Sequence, residues 1–253
     1  MATPKLPAKL SKPPVVEAIF EFRFEPTKDS VGDILVGILY YSKGFGVQKI
    51  EPLPAASIPR EVRESNPNLR YLASHRLHAN STYITVGDRV MTFAYAPTYE
   101  GWKEFRENAV MLLKVAKETG LVGSAERYSL KYLNLLQAPL GSQLSLLNAR
   151  FEISGESISD ERGFRFRTEQ HRDGFVTIFE LVTAAGAQLP DGLRNGLMLT
   201  VDTICSENTD GIWDDPYRCL DALHDHLKAN FFGILKDQTI KAFGPSWDND
   251  DLH

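Results

Sequence analysis

One stretch of the chain predicts a long helix followed by a long strand. After Tyr95, apolar residues recur at three- and four-residue steps, which is typical of an amphipathic helix; they are Trp102, Phe105, Ala109, Leu112, Leu113 and Ala116. Gly120 predicts the end of this helix, because glycine tolerates the left-handed backbone that often follows a last turn. The run from Arg127 to Leu136 then alternates as strands do. We therefore expect a helix packed on a sheet.

A second alternating run near the start predicts another strand, from Val15 to Phe24. Because successive strand side chains point to opposite faces, this run has two different faces. One face is apolar and should enter the core; it contains Val16, Ala18, Phe20, Phe22 and Phe24. The other face is mixed, with Val15 and Ile19 beside the charged residues Glu17, Glu21 and Arg23.

Shorter patterns predict the remaining elements. A first helix is expected from about Val31 to Tyr41, with Val31, Ile34, Leu35 and Ile38 facing inward. Asp173-Gly174 is a strong hairpin turn signal, and Asp215 before Pro216 predicts the N-cap of a last long helix. Further strands are predicted at Val47–Ile50, Tyr71–Leu77, Thr82–Val86, Val90–Tyr95, Leu147–Ser154, Phe164–Gln170, Phe175–Thr183 and Leu197–Cys205.

Together these patterns predict an α+β fold, in which long helices pack on one face of a curved antiparallel sheet. Both halves of the chain show strands, then one long helix, then a strand-like segment, which is consistent with a duplicated unit. The expected organisation is an extended N-terminal arm (1–14), a first α+β half (15–140), a second half packed on it (141–246) and an acidic tail (247–253).

Composition places the chain among soluble globular proteins. It has 253 residues, enough to bury a large core without disulfides. No apolar run approaches the roughly 20 residues that cross a bilayer, and the Lys- and Pro-containing N-terminus lacks the apolar region of a secretory signal. The two cysteines, Cys205 and Cys219, are expected to be reduced thiols. These features predict a cytoplasmic protein without membrane contact.

The charge distribution argues against general nucleic-acid binding. The net charge is −5, and the segment 206–253 contains ten acidic and four basic residues, so the rest of the chain is nearly neutral. A nucleic-acid binder usually has a dominant basic face. Arg165 and Arg167 alternate with Phe164 and Phe166, which places the arginines and the phenylalanines on opposite faces rather than together on a stacking surface. The acidic segment could instead steer a basic protein partner.

The candidate binding residues lie on the two strands described first. If these strands are neighbours, opposite charges could face each other across the ladder. Such a row is either an exposed, salt-bridged sheet face or the lining of a polar groove. The hypothesis is that Glu17, Arg127 and Lys131 line one polar site. The full set of candidates for ligand or partner binding is Glu17, Glu21, Arg23, Arg127, Lys131 and Asn134.

The sequence contains no recognisable catalytic, cofactor or metal motif. There is no Gly-x-Ser-x-Gly elbow, phosphate loop, dinucleotide fingerprint or His-Glu-x-x-His. The pairs His75/His78 and His224/His226 lack the companions of a zinc site. Asp202 lies within an apolar strand, where it either pairs across the sheet or serves a site. We predict no metal, no cofactor and no catalytic residue, although a triad can form from residues distant in sequence.

Four segments, in matching order, resemble a sporadically distributed family of prokaryotic proteins of unknown function and similar length. They are Lys12–Phe24 (KPPVVEAIFEFRF), Tyr99–Trp102, Glu126–Asn134 (ERYSLKYLN) and Leu223–Phe231. The chain departs at Lys131, where the family pattern tends to have arginine. The resemblance implies a shared fold but brings no established activity. Patchy distribution suggests a mobile-element, defence or toxin–antitoxin context.

Three functions follow as expectations. The first is a non-catalytic protein-interaction or regulatory protein, such as an immunity or antitoxin-type component of a mobile defence system. The second is a binding protein for a small anionic ligand or a nucleotide, with Arg127 and Lys131 as anchors. The third is a hydrolase with an unrecognised site. The interpretation favours a protein that is not an enzyme, while the partner, the oligomeric state and the presence of a cavity stay open.

Overall fold

A computed structural model describes residues 6–97, 99–137, 141–158, 160 and 163–247, which adopt an α+β fold. The helices are α1 (Val31–Tyr41), α2 (Arg60–Ser65), α3 (Trp102–Glu118), α4 (Gly211–Asp214), α5 (Pro216–Ile234) and α6 (Asp237–Ala242). The strands are β1 (Lys9–Leu10), β2 (Val15–Pro26), β3 (Lys49–Pro52), β4 (His75–Ala79), β5 (Thr82–Val86), β6 (Val90–Tyr95), β7 (Val122–Leu136), β8 (Glu152–Ile153), β9 (Glu156–Ser157), β10 (Arg165–Arg172), β11 (Phe175–Leu189), β12 (Gly192–Cys205) and β13 (Pro245–Ser246).

Nine strands form one antiparallel sheet in the order β10-β11-β12-β7-β2-β6-β5-β4-β3. The two strands that sequence analysis emphasised, β2 and β7, are neighbours at its centre. Their pairing places Ser129 opposite Glu21 and Arg127 opposite Arg23. Because β7 also pairs with β12, the centre of the sheet joins the two halves of the chain. β1 pairs with β13 outside this sheet, so the middle of the N-terminal arm lies beside the last described segment of the chain.

The predicted apolar face of β2 forms the middle of the core. Ala18, Phe20, Phe22 and Phe24 are fully buried, as the alternation predicted. The helices α1, α3 and α5 pack over this face. Phe105 of α3 lies against Phe93 of β6, with ring centroids 5.6 Å apart. One continuous apolar cluster therefore extends across residues of both halves. In the part of the chain that the structure describes, no helix combines the length and the apolar character needed to cross a bilayer.

A polar contact joins α3 to α5 at the edge of this core. The Trp102 indole N–H and the Arg106 guanidinium both donate to the Asp221 carboxylate, at 2.8 and 2.7 Å. His224 stacks on Trp102 with ring centroids 4.1 Å apart and an interplanar angle of 7°. Burial, helped by the nearby Lys228 charge, lowers the pKa of His224 to about 3. The imidazole is therefore neutral and acts as part of the packing between the helices.

Helix α1 has the predicted bounds but a different buried stripe. The sequence pattern placed Ile34 and Ile38 inward, whereas their exposed fractions are 46% and 37%. The structure buries Gly32, Val36 and Leu39 instead, together with the correctly predicted Val31 and Leu35. The cause is a close approach at Gly32, whose N–H donates to the Asp88 carboxylate at 3.0 Å and where an added Cβ would lie 3.0 Å from the Gly87 carbonyl carbon. This contact fixes the rotation of the helix.

The prediction of a strand at Leu147–Ser154 was wrong. Gln143–Leu146 forms a 3₁₀ turn, and only Glu152–Ile153 of the predicted range lies in a strand. Leu147 is buried and forms an isolated bridge with Leu235, beyond the end of α5. Leu147 is therefore buried by a contact with a residue distant in sequence and does not belong to a strand of the large sheet.

The two halves share a short pattern of elements. The meander β4–β6 is followed by α3, and the meander β10–β12 is followed by α5. The strand after α3 is β7 in the large sheet, whereas α5 is followed by α6 and by β13, which pairs with β1. The acidic tail lies outside the described residues from position 248 onward.

Candidate functional site

In the part of the chain that the structure describes, α1, α3 and α5 pack over one face of the large sheet. We call the opposite side, which α2 and the segment after it reach at one end, the open face. Alternation assigns the charged row of β2 to it, since Ala18, Phe20, Phe22 and Phe24 enter the core. The prediction was wrong for Val15 and Val16, because the register with β7 shifts between Val15 and Glu17: Val15 packs against the core, and Val16 lines a recess on the open face. On β7 the odd-numbered residues belong to the same side. The open face at these two strands therefore consists of Glu17, Ile19, Glu21, Arg23, Arg127, Ser129, Lys131 and Leu133.

Two arginines share one carboxylate at the centre of the open face. Arg23 Nε donates to Glu21 Oε1 at 2.8 Å, and Arg127 Nη2 lies 3.5 Å from the same oxygen. All three side chains are about one-quarter exposed. Burial and the neighbouring Arg23 charge lower the pKa of Arg127. Its Nε is buried and has no hydrogen-bond partner among the described residues, so this donor is unsatisfied in the free chain.

The Lys131–Asp202 pair continues this charged row onto β12. Lys131 lies directly opposite Asp202 in the β7–β12 register, and its Nζ is 3.3 Å from Oδ2. Asp202 is 4% exposed, and burial raises its pKa while Lys131 and Arg127 act in the opposite direction. Cross-strand pairing, one of the two readings of Asp202, is thus what the structure shows. The second oxygen, Oδ1, is buried and lacks a partner within the described chain.

Glu17 belongs to a second polar group, formed with β4 and β5. The Tyr83 hydroxyl donates to Glu17 Oε1 at 2.6 Å. The Arg76 guanidinium lies 4.6 Å from the centroid of the Tyr83 ring, within the range of a cation–π contact. Burial and the adjacent Glu17 charge raise the pKa of Tyr83 above its ordinary value. Sequence reasoning missed Tyr83 and Arg76, although the period of two in β4 and β5 would have placed both on this face.

The segment after α2 closes one end of the open face. The Arg23 guanidinium lies 4.5 Å from the centroid of the Tyr71 ring, and the Tyr71 hydroxyl donates to Glu126 at 2.6 Å. Arg89 holds this end together, because it donates to Glu25 and to Glu64 of α2 and lies 3.5 Å from Glu126. The Arg89 side chain is only 12% exposed, so a largely buried guanidinium forms ion pairs with three carboxylates.

A recess of about 510 Å³ lies at the other end of the open face. The hairpin between β11 and β12 contributes one wall, and β2, β7 and the segment after β6 contribute the rest. Its lining combines Glu17 with mostly apolar residues, among them Pro97, Leu133, Leu189, Pro190 and Met198. An apolar recess beside fixed charges can hold an apolar side chain of a binding partner. A larger recess of about 680 Å³ beside α6 includes none of the open-face residues.

The structure brings five of the six predicted site residues to one face. Glu21, Arg23 and Arg127 are in direct contact, and Lys131 and Glu17 lie on the same side of the sheet. Asn134 does not join them. It is an even-numbered residue of β7, it is buried on the helix-covered side, and its amide donates to the Leu199 carbonyl oxygen at 3.2 Å.

Comparisons with known proteins add no assignment to this arrangement. No protein-family model matches the chain, and no curated protein matches it. The resemblance to a prokaryotic family, described from four sequence segments, therefore stays a prediction. The class that the fold and the site define is an α+β protein with a charged sheet face opposite the helices α1, α3 and α5.

Proposed function

We propose that this protein is a non-catalytic binding protein, and that the open face of its sheet binds a protein partner. The observation that carries the proposal is the combination, on the open face, of partly buried charges with an adjacent apolar recess. Neighbouring strands are spaced about 4.8 Å apart, so nine strands extend over roughly 40 Å. This width suits a macromolecular interface, which covers about 800 Å² on each partner, better than it suits a small ligand alone.

The charges on the open face would act mainly in specificity. The groups are already paired within the chain, as in Lys131–Asp202 and Glu21–Arg23, so a partner must complement both signs. The apolar recess offers a place for an anchoring side chain, the kind of contact that contributes most binding energy in protein interfaces. We further propose that the sheet is curved and that the two halves of the chain are a duplicated unit.

The cellular setting belongs to the same proposal. We place the protein in the cytoplasm, where the free thiols of Cys205 and Cys219 would stay reduced. The partner would be the product of an adjacent gene, and the role that of an immunity, antitoxin or regulatory component of a defence-type system. The acidic charge of the C-terminal segment favours a basic partner.

Affinity capture of the neighbouring gene product tests this function. The wild-type chain should retain the product, whereas Arg127→Glu and Met198→Glu should not, because they alter the charged centre and the recess separately. Lys114→Glu is the matched control, since Lys114 is 74% exposed on α3, on the helix side. Circular dichroism melting confirms that each variant is folded. Equal capture by all four chains would refute binding through the open face.

A second candidate is a binding protein for a small anionic ligand or a nucleotide, anchored by Arg127 and Lys131. The observation that favours it is the Arg127 guanidinium, which is 25% exposed and lies beside a second guanidinium, that of Arg23, on the same carboxylate. Arginine at such a position suits phosphate or carboxylate groups. Co-elution of a nucleotide-like absorbance with the wild-type chain, lost in Arg127→Glu, would support it. Calorimetric titration with inorganic phosphate gives an independent reading.

The third candidate is a hydrolase with an unrecognised site, for which Asp202 and Glu17 are the acid–base groups to test. Asp202 is engaged by Lys131, and Glu17 accepts the Tyr83 hydroxyl, so each has a structural partner in the folded chain. Turnover of generic ester or phosphoester substrates, lost in Asp202→Asn or Glu17→Gln, would favour the enzyme over both binding functions.

A further inference from the structure

The two edges of the large sheet are protected to very different degrees. β3, at one edge, has four residues, begins with Lys49 and ends with Pro52. Short length, lysine and proline are the usual devices that stop an edge strand from pairing with another chain. β10, at the other edge, has eight residues, and its register with β11 shows no bulge. It carries charged side chains of both signs but neither lysine nor proline, and no described strand pairs with its outer side. The β10 edge is therefore a usable template for a further strand.

The hairpin register shows which backbone groups this edge offers. The two-residue turn Asp173-Gly174 joins Arg172 to Phe175, and the Thr183 N–H donates to the Phe164 carbonyl at 2.9 Å. In an antiparallel pair, hydrogen-bonded and non-hydrogen-bonded residues alternate. The even-numbered residues of β10 thus direct their N–H and C=O groups to β11, and the odd-numbered residues direct theirs outward. The outward set is Arg165, Arg167, Glu169 and His171.

The side chains of this outward set are exposed and carry charges of both signs. Arg165 donates to Glu180 at 2.6 Å, and His171 lies 3.1 Å from Glu169. Arg167 forms no ion pair with any residue that the structure describes, and it is exposed. The Glu169 side chain is 48% exposed and lies two positions further along the same edge. The middle of the strand therefore presents Arg167, and beside it Glu169, whose partner within the described chain is the exposed His171.

We propose that β10 pairs with β10 of a second copy of this chain, antiparallel and about a two-fold axis beside Thr168. In this register Arg167 of each copy faces Glu169 of the other, and Arg165 faces His171. Four residue pairs would exchange backbone hydrogen bonds, because all four members of each outward set point at the partner. A two-fold contact is self-complementary by construction, so one Arg–Glu match automatically gives a second.

Neighbouring registers are unfavourable for the same side chains. An axis beside Phe166 or Arg167 would place arginine against arginine, and an axis beside Glu169 would place that carboxylate against its own copy. Like charges directly opposite each other destabilise a sheet. The register beside Thr168 avoids both conflicts, and of these four registers it alone pairs all four outward residues. The result is a continuous sheet of two nine-stranded halves, with both open faces on the same side.

Sedimentation velocity over about 5 to 200 µM chain tests the pairing, since an edge contact of this size should give a dissociation constant in roughly the micromolar range. The wild-type chain should form dimers. Arg167→Glu leaves only carboxylates at both central positions, and Glu169→Arg leaves only arginines, so each variant alone should dimerise at least about tenfold more weakly. Lys49→Glu, on the β3 edge, is the matched control and should dimerise like the wild type.

Exchanging the charges at positions 167 and 169 shows whether weaker dimerisation comes from this register or from a general loss of stability. An equimolar mixture of Arg167→Glu and Glu169→Arg chains should form heterodimers, and a chain with both substitutions should recover the homodimer. Melting by circular dichroism shows whether the substitutions disturb the hairpin itself, where Arg167 lies opposite Glu180. A monomeric wild type, single variants that dimerise as well as the wild type, or a mixture that stays monomeric would each overturn the proposal.

Discussion

Replacing Lys131 with methionine tests the view that the charges of the open face depend on one another. Methionine keeps much of the length and apolar character of the lysine stem but removes the ammonium group. Asp202 would then lose its closest cation, which lies 3.3 Å away, while remaining almost fully buried. Breaking a buried pair by removing one partner is destabilising, because it leaves a charge without compensation.

The size of the effect follows from the geometry of the pair. At 3.3 Å, two unit charges in a medium of effective dielectric constant 20 attract each other by about 5 kcal/mol. The Lys131 side chain is 37% exposed, so water screens a large part of this attraction. We therefore expect the free energy of unfolding to decrease by about 2 kcal/mol at pH 7. Lys114→Met, which removes an exposed lysine 4.0 Å from Glu118, should change it by less than about 0.5 kcal/mol.

The effect should depend on pH in a defined direction. Burial already raises the pKa of Asp202, and loss of Lys131 raises that pKa further. An acid whose pKa is raised on folding contributes stability when protonated and loses that contribution as the pH increases through the folded pKa. The difference in free energy of unfolding between Lys131→Met and wild type should therefore be largest at pH 7. It should become smaller as the pH falls toward 3.8, the ordinary pKa of an aspartate side chain.

Urea unfolding monitored by circular dichroism, from pH 4 to 7, measures this difference. The Asp202→Asn variant and the double variant complete a cycle that isolates the pair. The double variant should be more stable than Lys131→Met, because neither charge is then left alone. A Lys131→Met chain that is as stable as wild type at pH 7, or a difference that is constant with pH, would refute the reasoning.

Three further substitutions test other parts of the structure by the same unfolding assay. Because the pKa of His224 is lowered to about 3, stability should decrease by at most about 1.4 kcal/mol per pH unit below pH 6.5, and His224→Phe should remove this dependence. Arg89→Met leaves Glu25, Glu64 and Glu126 without their common cation and should cost about 2 kcal/mol at pH 7. Phe105→Ala removes a fully buried ring and should cost about 4 kcal/mol, without a pH dependence of its own.

Local alternation was sufficient to predict the centre of the fold. The period of two in β2 separated Phe20 and Phe22 from Glu21 and Arg23, and the structure buries the first pair and leaves the second on the open face. The helical spacing around Phe105 likewise predicted α3, which begins at Trp102. Both elements lie between the core and a polar surface. The spacing of apolar residues along the sequence therefore matches the side of the element that is buried, which makes the prediction reliable.

Contacts between distant segments explain what the sequence pattern could not predict. The rotation of α1 depends on Gly32 against Gly87 and Asp88, which lie more than fifty residues away. Leu147 forms an isolated bridge with Leu235, so the apolar residues around it are buried without forming a strand of the large sheet. In the candidate site, Asn134 is an even-numbered residue of β7, so it lies on the opposite face from the charged residues Arg127 and Lys131, which are odd-numbered. The partner of Asp202 depended instead on the pairing of β7 with β12, which local periodicity does not specify.

Carboxyl labelling read by mass spectrometry tests the central claim, binding through the open face, most directly. The reagent would be applied to the free chain and to its complex with the captured gene product. Bound partner should reduce labelling of Glu17 and Glu21 on the open face and leave Glu118 of α3, whose side chain is 65% exposed, unchanged. Protection of Glu118 with no change at Glu17 and Glu21 would contradict the account.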